Sequence, residues 1–343
     1  MEKTRQSLSW VRAGEPKHAR RRTEAARGGI AVELIVRERR EEADRVISLL
    51  LARPDGGILP AWEPGAHVDV VLDEMTTRQY SLSSDPDDER QWRLGILRES
   101  ESRGGSARIF DAIETGSKVK LSEPRNNFVL KPALEYLFIA GGIGITPILP
   151  MIRTAERSGV SWRLLYIGRS RRSMAFLDEL ASHGDHVTLA PKDEFGRADL
   201  AAWLGEGKLG KAVYACGPEA LLLAIEHHMS GWPTGSLHVE RFRPKVFEGC
   251  DDDCEFEVEF VESGVSVMVS PGQTILSAAE ESGVPVFASC EEGTCGTCQT
   301  PVVEGVVDHR DSILSQEERD RHDLMLICVS RAAAGCSKLR LQA

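Results

Sequence analysis

Near Pro132 the spacing of apolar residues changes its period, and this change limits the fold more than any other feature of the chain. From Ile30 onward, apolar and polar residues alternate in short runs: "AVELIVRE", "RVISLLLA", "HVDVVL", "RQYSLSS", "WRLGILRE" and "SKVKLSEP". Gly, Pro and Asp separate the runs. A period of two with such punctuation predicts a small antiparallel β-barrel or sandwich over residues 30–132. Beyond Pro132 the rhythm differs. "EYLFIAG" is an unbroken apolar run, as in a strand buried on both faces, and "TPILPMIRTAERSG" follows at helical spacing. "SWRLLYIGR", "MAFLDELASHG", "HVTLAPK", "DLAAWLG", "KAVYACG" and "PEALLLAIEHHM" continue the alternation of strand and helix. This pattern predicts an open, parallel α/β sheet over 133–245.

An acidic stretch at 246–257 reads as a linker. "EFEVEFVESGVSVMVS" then reads as a hairpin turning at Ser263–Gly264, and "QTILSAAEESG" as a short helix closed by Gly283. Residues 258–343 form the third predicted unit, so the chain is multidomain. Its 343 residues exceed what one small core organises.

Charge narrows the partners. The net charge of −11 argues against nucleic acid. Residues 1–29 depart from it, with eight Lys or Arg against three Glu, and read as a disordered basic tail. A contact arm for an acidic partner and a transit peptide are the alternatives for this segment. No apolar run has the length to span a bilayer and the N-terminus lacks an apolar h-region, which predicts a cytoplasmic protein with no membrane partner. Thiols there stay reduced, so clustered cysteines point to metal or redox work.

The cluster is "CEEGTCGTC". Cys290, Cys295 and Cys298 stand at C-x4-C-x2-C spacing, and Cys328 follows in "MLICVS". Four thiolates so arranged match the plant-type [2Fe–2S] pattern, in which each of two irons takes two sulfurs. Gly293 and Gly296 let the loop bend so that backbone N–H groups face the cluster. A structural zinc site is the rival, although zinc loops usually pair C-x2-C with C-x2-C. A Rieske centre in this loop would need two histidines, which the loop lacks. Cys250 and Cys254 read as solvated linker thiols, and Cys336 as buried or inert.

Two features of the first unit suit phosphate. Arg78 in "RQYSLSS" offers a bidentate donor. Gly104, Gly105 and Ser106 in "RGGSARIFDAI" open a helix whose free N–H groups form an anion site; a plain capped helix reads the same. In the second unit, Gly141, Gly142 and Gly144 of "AGGIGITPILPM" permit close backbone approach before Thr146–Pro147 starts a helix. This spacing differs from G-x-G-x-x-G.

The last 85 or so residues resemble plant-type ferredoxins, which implies a β-grasp fold. "RQYSLSS", "GGIGITP" and "YACGPEALL" resemble, in order, the R-x-Y-S, G-G-x-G-x-T/S-P and C-G-P motifs of the ferredoxin–NADP reductase superfamily. The module order, with "GGS" and "SEPRNNFVL", resembles the phthalate dioxygenase reductase family, including reductases of vanillate-type demethylases, over roughly residues 30–343. The resemblance implies that Arg78, Gln79, Tyr80, Ser81, Leu82, Gly104, Gly105 and Ser106 bind FMN. Arg78 would pair with its phosphate, Tyr80 pack on the ring, and Ser81 hydrogen-bond near N5. It implies that Gly141, Gly142, Gly144, Thr146, Pro147, Cys216, Gly217 and Pro218 bind NADH, with Cys216 beside the nicotinamide. Phe242 of "HVERF" would cover the flavin ring, and Cys290, Cys295, Cys298 and Cys328 would hold the cluster. Ser81 and Cys216 are thus the candidate catalytic residues. The implied function is an NADH-dependent electron relay serving a Rieske-type oxygenase component. An FAD reductase serving another acceptor, such as a diiron oxygenase, and a zinc-stapled binding module are the alternatives.

Overall fold

The computed structural model describes residues 32–73, 76–99, 104–245 and 253–343. The basic tail, Cys250 and most of the acidic linker lie outside the described residues.

The alternating segment forms β1 (Val32–Ala43), β2 (Val46–Ala52), β3 (Ala66–Asp73), β4 (Thr76–Ser81), β5 (Trp92–Leu97), α1 (Gly105–Ala112), β6 (Lys118–Leu121) and β7 (Arg125–Asn126). The strands pair antiparallel in the order β4–β3–β6–β1–β2–β5, and β7 pairs with β3. A bridge between Leu82 and Leu94 joins the two ends of this order and closes the sheet into a barrel. Inward residues of the period-two runs fill it. Leu34, Ile47, Leu49, Leu51, Val68, Trp92, Leu94 and Ile96 are all buried in one cluster, and each large side chain so buried contributes about 1.5–3 kcal/mol.

The second unit contains β8 (Glu135–Gly141), a 3₁₀ turn (Gly142–Ile145), α2 (Ile148–Arg157), β9 (Ser161–Gly168), α3 (Leu177–Leu180) and β10 (Val187–Pro191). It continues with α4 (Lys192–Phe195), α5 (Leu200–Leu204), β11 (Lys211–Cys216), α6 (Glu219–His228) and β12 (Leu237–Glu240). The sheet is parallel, in the order β10–β9–β8–β11–β12. After Glu135, β8 is apolar because both of its faces are covered. Tyr136, Phe138 and Ala140 pack in one cluster with Ile148 and Ile152 of α2, while Leu137 and Ile139 pack in another with Leu222 and Ile225 of α6. The strand order reverses between β8 and β11, so the crevice beyond their carboxyl ends is the place where such a sheet binds ligands.

"MAFLDELASHG" departs from the expected helix. Only Leu177–Leu180 is α-helical, and a 3₁₀ segment follows over Ala181–His186. Phe176 takes a left-handed conformation (φ 61°) that plants its ring in the core, and Gly184 (φ 54°, ψ −127°) breaks the turn that would extend the helix.

The third unit comprises β13 (Phe256–Phe260), β14 (Val265–Val269), α7 (Ile275–Glu281), β15 (Gln299–Glu304), β16 (Val307–Asp308), α8 (Gln316–Arg321), β17 (Leu324–Leu326), β18 (Arg331–Ala332) and β19 (Lys338–Leu341). Its main sheet has the order β14–β13–β19–β15–β17, with β13 and β19 parallel. Gly264 (φ 67°) makes the β13–β14 turn, and Gly283 (φ 75°) follows α7 with its N–H bonded to the Glu280 carbonyl. α7 lies over this sheet, and Ile275 and Ala279 pack with Val258, Phe260 and Leu339. A mixed sheet holding one helix in this way is the β-grasp arrangement.

Candidate functional site

A cavity of about 630 Å³ lies where the three units meet. The barrel contributes Arg78, Tyr80 and Ser81, the turn after β8 contributes Thr146, and the cysteine loop contributes Cys290. The segment leaving β12 closes it with Glu240 to Pro244.

The two phosphate features of the barrel converge. Arg78 on β4 lies against the first turn of α1, so a Cβ added at Gly105 would stand 2.4 Å from Arg78 Nε. A side chain at this position would displace the guanidinium from its present place. Gly104 precedes the helix with φ 85°, and Ser106 lines the cavity. Arg78 and Ser106, in the first turn of α1, thus line one space, an arrangement that suits a phosphate.

Two buried polar atoms beside this space, Tyr80 OH and His67 Nε2, have no hydrogen-bond partner among the described residues. Burial pushes the Tyr80 phenol up. It pushes His67 down to about 4, with Arg125 adding to the effect, so the imidazole is neutral at pH 7. Buried groups of this kind are satisfied in native proteins, and both face the cavity. The donor set therefore fits a flavin, whose phosphate, polar ring edge and aromatic face each find a counterpart.

The two glycine motifs of the parallel sheet interlock at its switch point. A Cβ on Gly144 would stand 2.3 Å from the Cys216 carbonyl oxygen, and one on Gly141 would stand 2.7 Å from Pro218 Cδ. Gly142 takes φ 56°. Thr146 Oγ1 donates to the Ile143 carbonyl at 3.0 Å, and Pro147 sits at the start of α2. Cys216 ends β11 fully buried, its Sγ 3.9 Å from Glu240 Oε2. Burial pushes the Cys216 thiol up, with the Glu240 charge adding to it. Burial also raises Glu240 to about 8, with Cys216 and Ser81 pulling it partway back.

The remaining candidates divide. Gln79 lines the cavity but spends its amide on Asp69 Oδ1 at 3.1 Å. Leu82 points into the barrel core, where the Leu94 bridge holds it, and is absent from the cavity wall. Gly104, Gly105, Gly141, Gly142, Gly144, Pro147, Cys216, Gly217 and Pro218 shape the neighbouring backbone without lining the cavity. Phe242 lines it, 43% exposed. Glu240, His67 and Ser289 also line it, and motif reading missed them. Glu240 was open to detection as the one acidic residue in "HVERF", the segment already singled out for Phe242; His67 and Ser289 carried no signal.

In the cysteine loop, Gly293 and Gly296 take φ of 69° and 75°. The Glu292 N–H donates to Cys290 Sγ and the Thr297 N–H to Cys295 Sγ, each at 3.3 Å. The four thiols stand as two pairs. Hydrogen bonding between Cys290 and Cys295 lowers the first and raises the second, and bonding to Cys328 raises Cys298. Among the described residues, no three His, Cys, Asp or Glu side chains are gathered around one ion position. Two pairs suit two irons with two thiolates each, whereas zinc takes all four around one point. Cys254 is exposed, and Cys336 accepts from the Val306 N–H and donates to the Lys338 carbonyl.

The family model for the 2Fe-2S iron-sulfur cluster binding domain matches residues 259–333. The phenoxybenzoate dioxygenase subunit beta of Ectopseudomonas oleovorans is 41% identical over 290 residues, covering 84% of this chain and 90% of that protein. A solved phthalate dioxygenase reductase, described as a modular structure for electron transfer from pyridine nucleotides to [2Fe-2S], superposes with a TM-score of 0.66 at 33% identity. It covers 91% of this chain and 98% of its own. An intact type IV self-sufficient cytochrome P450 monooxygenase gives a TM-score of 0.86 at 40% identity over 91% of this chain. The present chain spans 41% of that longer protein.

Proposed function

Because the chain belongs to the phthalate dioxygenase reductase family, we propose that it is the NADH-dependent reductase component of an oxygenase system, carrying electrons through FMN and a [2Fe–2S] cluster to a Rieske-type oxygenase component. The carrying observation is the single cavity walled by the barrel, the switch-point turn and the cysteine loop. When bound, flavin and cluster supply the conversion of hydride chemistry into one-electron steps, and the chain supplies placement and electrostatics.

Arg78 and the N-terminus of α1 hold the flavin phosphate. Tyr80 offers its ring as a packing face, and its phenol stays protonated as a donor. Ser81 and the largely protonated Glu240 supply short polar contacts on the wall shared with the nucleotide sheet. Thr146 and the interlocked Gly144–Cys216 backbone form the seat of the nicotinamide, and Phe242 covers the ring until the nucleotide enters. Cys216, kept as a buried neutral thiol, packs there as a small apolar surface. Cys290, Cys295, Cys298 and Cys328 ligate the cluster. The units run over 30–132, 133–245 and 258–343, with 246–257 as linker. Among the described residues no helix is long and apolar enough to cross a membrane, and reduced cluster thiolates suit the cytoplasm.

The likeness to the phthalate dioxygenase reductase family carried by "GGS" and "SEPRNNFVL" favours FMN over FAD. The likeness to part of a self-sufficient cytochrome P450 monooxygenase supports a second reading, in which a cytochrome P450 accepts the electrons. Anaerobic titration with NADH tests the core of the proposal. Flavin absorbance bleaches first, and the cluster's visible bands follow. Release of FAD instead of FMN on denaturation overturns the FMN assignment, and a colourless zinc protein overturns the relay.

A further inference from the structure

The barrel wall of the cavity and the cysteine loop belong to different units, and side chains of the barrel tie the two together. β7 lies antiparallel to β3, with Ala66 opposite Asn126 and His67 opposite Arg125. Asn126 fixes the chain as it leaves this pairing. Its Oδ1 accepts the Phe128 N–H at 2.9 Å, and its Nδ2 donates to the Pro64 carbonyl at 3.0 Å. Asn127 is thereby aimed at the loop, where its Nδ2 donates to the Cys295 carbonyl at 3.0 Å. The approach is close, since a Cβ on Gly296 would stand 3.0 Å from the same nitrogen.

Asp69 on β3 makes the second tie. The side chain is buried, and its Oδ2 accepts from Ser289 Oγ at 3.0 Å. Its Oδ1 lies 2.6 Å from Arg125 Nη2 and accepts from Gln79 Nε2 at 3.1 Å. Burial alone would raise this carboxyl, but the Arg125 charge and hydrogen bond outweigh it and keep it ionised. The two ties bracket Cys290, one at the residue before it and the other at Cys295, whose thiol pairs with it. Cys290 is the candidate ligand that lines the cavity.

We infer that Asp69 and Asn127 are positioning residues, which latch the Cys290–Cys295 side of the loop onto the barrel and so set the rate at which electrons pass from flavin to cluster. The inference rests on the relay proposed above. The step concerned moves one electron from flavin reduced by NADH to the oxidised cluster. One ferric iron becomes ferrous, and no bond in the chain forms or breaks. Transfer falls off steeply with separation, so a loop held at two points beside the cavity gives one short, fixed gap. A loop held at neither point samples longer ones.

The test uses the holoprotein with Ser289→Ala, Asn127→Ala and both together, which remove the donors and leave Asp69 with Arg125 and Gln79. Rapid mixing with NADH should show the flavin-bleaching phase unchanged in Asn127→Ala, whose side chain lies off the cavity wall. The flavin-to-cluster phase should slow severalfold in each single variant and multiplicatively further in the double. Midpoint potentials of both cofactors should stay unchanged, which a loss of local structure at the cluster would not allow. Ser289→Thr, which keeps the hydroxyl, should restore the rate. Hydrogen exchange over residues 287–297 should rise in the double variant, with or without cofactors. An unchanged flavin-to-cluster phase or unchanged exchange overturns the latch, as does slowing matched by a fall in cluster potential. Failure of wild-type protein to show two phases overturns the relay instead, and the exchange measurement still judges the latch.

Discussion

The turn after β8 and the cysteine loop are both glycine-bearing segments at the edge of one cavity, yet they are held in different ways. The turn is locked by backbone against backbone. Gly144 lies so close to the Cys216 carbonyl that no side chain fits, and flanking strands β8 and β11 are paired from Glu135 to Ala140. The loop is held by side chains: the Cys290–Cys295 pair within it, the Cys298 pairing with Cys328, and the Asp69 and Asn127 contacts from the barrel. A site defined by a sheet's own strand ends is present as soon as the sheet folds. One defined by sulfur and long-range polar contacts needs its metal and a second unit before it is complete.

The largest test of this contrast is Cys295→Ser. A serine hydroxyl is a poor ligand for iron, so iron content and the visible bands should be lost while both other sheets stay folded. NADH should still bleach the flavin, and ferricyanide should still be reduced. Reduction of cytochrome c and of the oxygenase partner should fail. Equal slowing of NADH-to-flavin transfer would show that the loop and the turn are not separable.

Gly144→Val attacks the other side. The added atoms meet backbone, which cannot step aside, and overpacking of this kind costs about 3 kcal/mol. Urea unfolding should report that loss in the parallel sheet, with the iron signal retained. An unchanged midpoint would mean that the turn is not locked by this contact.

Arg78→Ala probes the barrel that serves both regions. Losing a charge-assisted phosphate contact worth about 1.5–3 kcal/mol should weaken flavin binding roughly 10- to 100-fold. Fluorescence titration of released flavin measures it, and the cluster bands should remain. Flavin affinity equal to wild type would remove the phosphate cradle from the account.

The smallest effect is one of pH. Glu240 has a folded-state pKa raised to about 8 from 4.5, so its protonated form is the one the fold prefers. The associated stability is fully present below pH 4.5 and is lost as pH rises through about 8. Glu240→Gln keeps a neutral polar side chain and should flatten that part of the profile, measured by urea unfolding between pH 5 and 8.5. A variant with the wild-type slope would place the pH dependence elsewhere.

Much of the architecture was readable along the chain. The alternating runs became the barrel, the unbroken run "EYLFIAG" became a strand covered on both faces, and the cysteine spacing marked the loop that bends at Gly293 and Gly296. These features are local: side-chain period, turn residues and short spacings act between near neighbours. "MAFLDELASHG" misled because its helical period is genuine, while the core claims the Phe176 ring and forces its backbone into a left-handed turn.

The site was only partly readable, for the same reason in reverse. Composition and motif order marked Arg78, Tyr80, the glycine turn and the four cysteines. Nothing near Leu82 in sequence shows that it faces the barrel core, and nothing in "HVDVVL" marks His67 and Asp69 as cavity and latch residues. Asp69 and Ser289 are 220 positions apart, and Asn127 and Cys295 are 168 apart. Contacts at such separation leave no periodic trace, because each partner satisfies its own strand or loop and meets the other only after three sheets have packed. The sequence by itself determined the three rhythms, the phosphate-binding and metal-binding residue types and their order. The tertiary structure decided that they share one cavity, since burying His67 and Asp69 beside the half-buried Glu240 requires apolar packing that no single segment supplies.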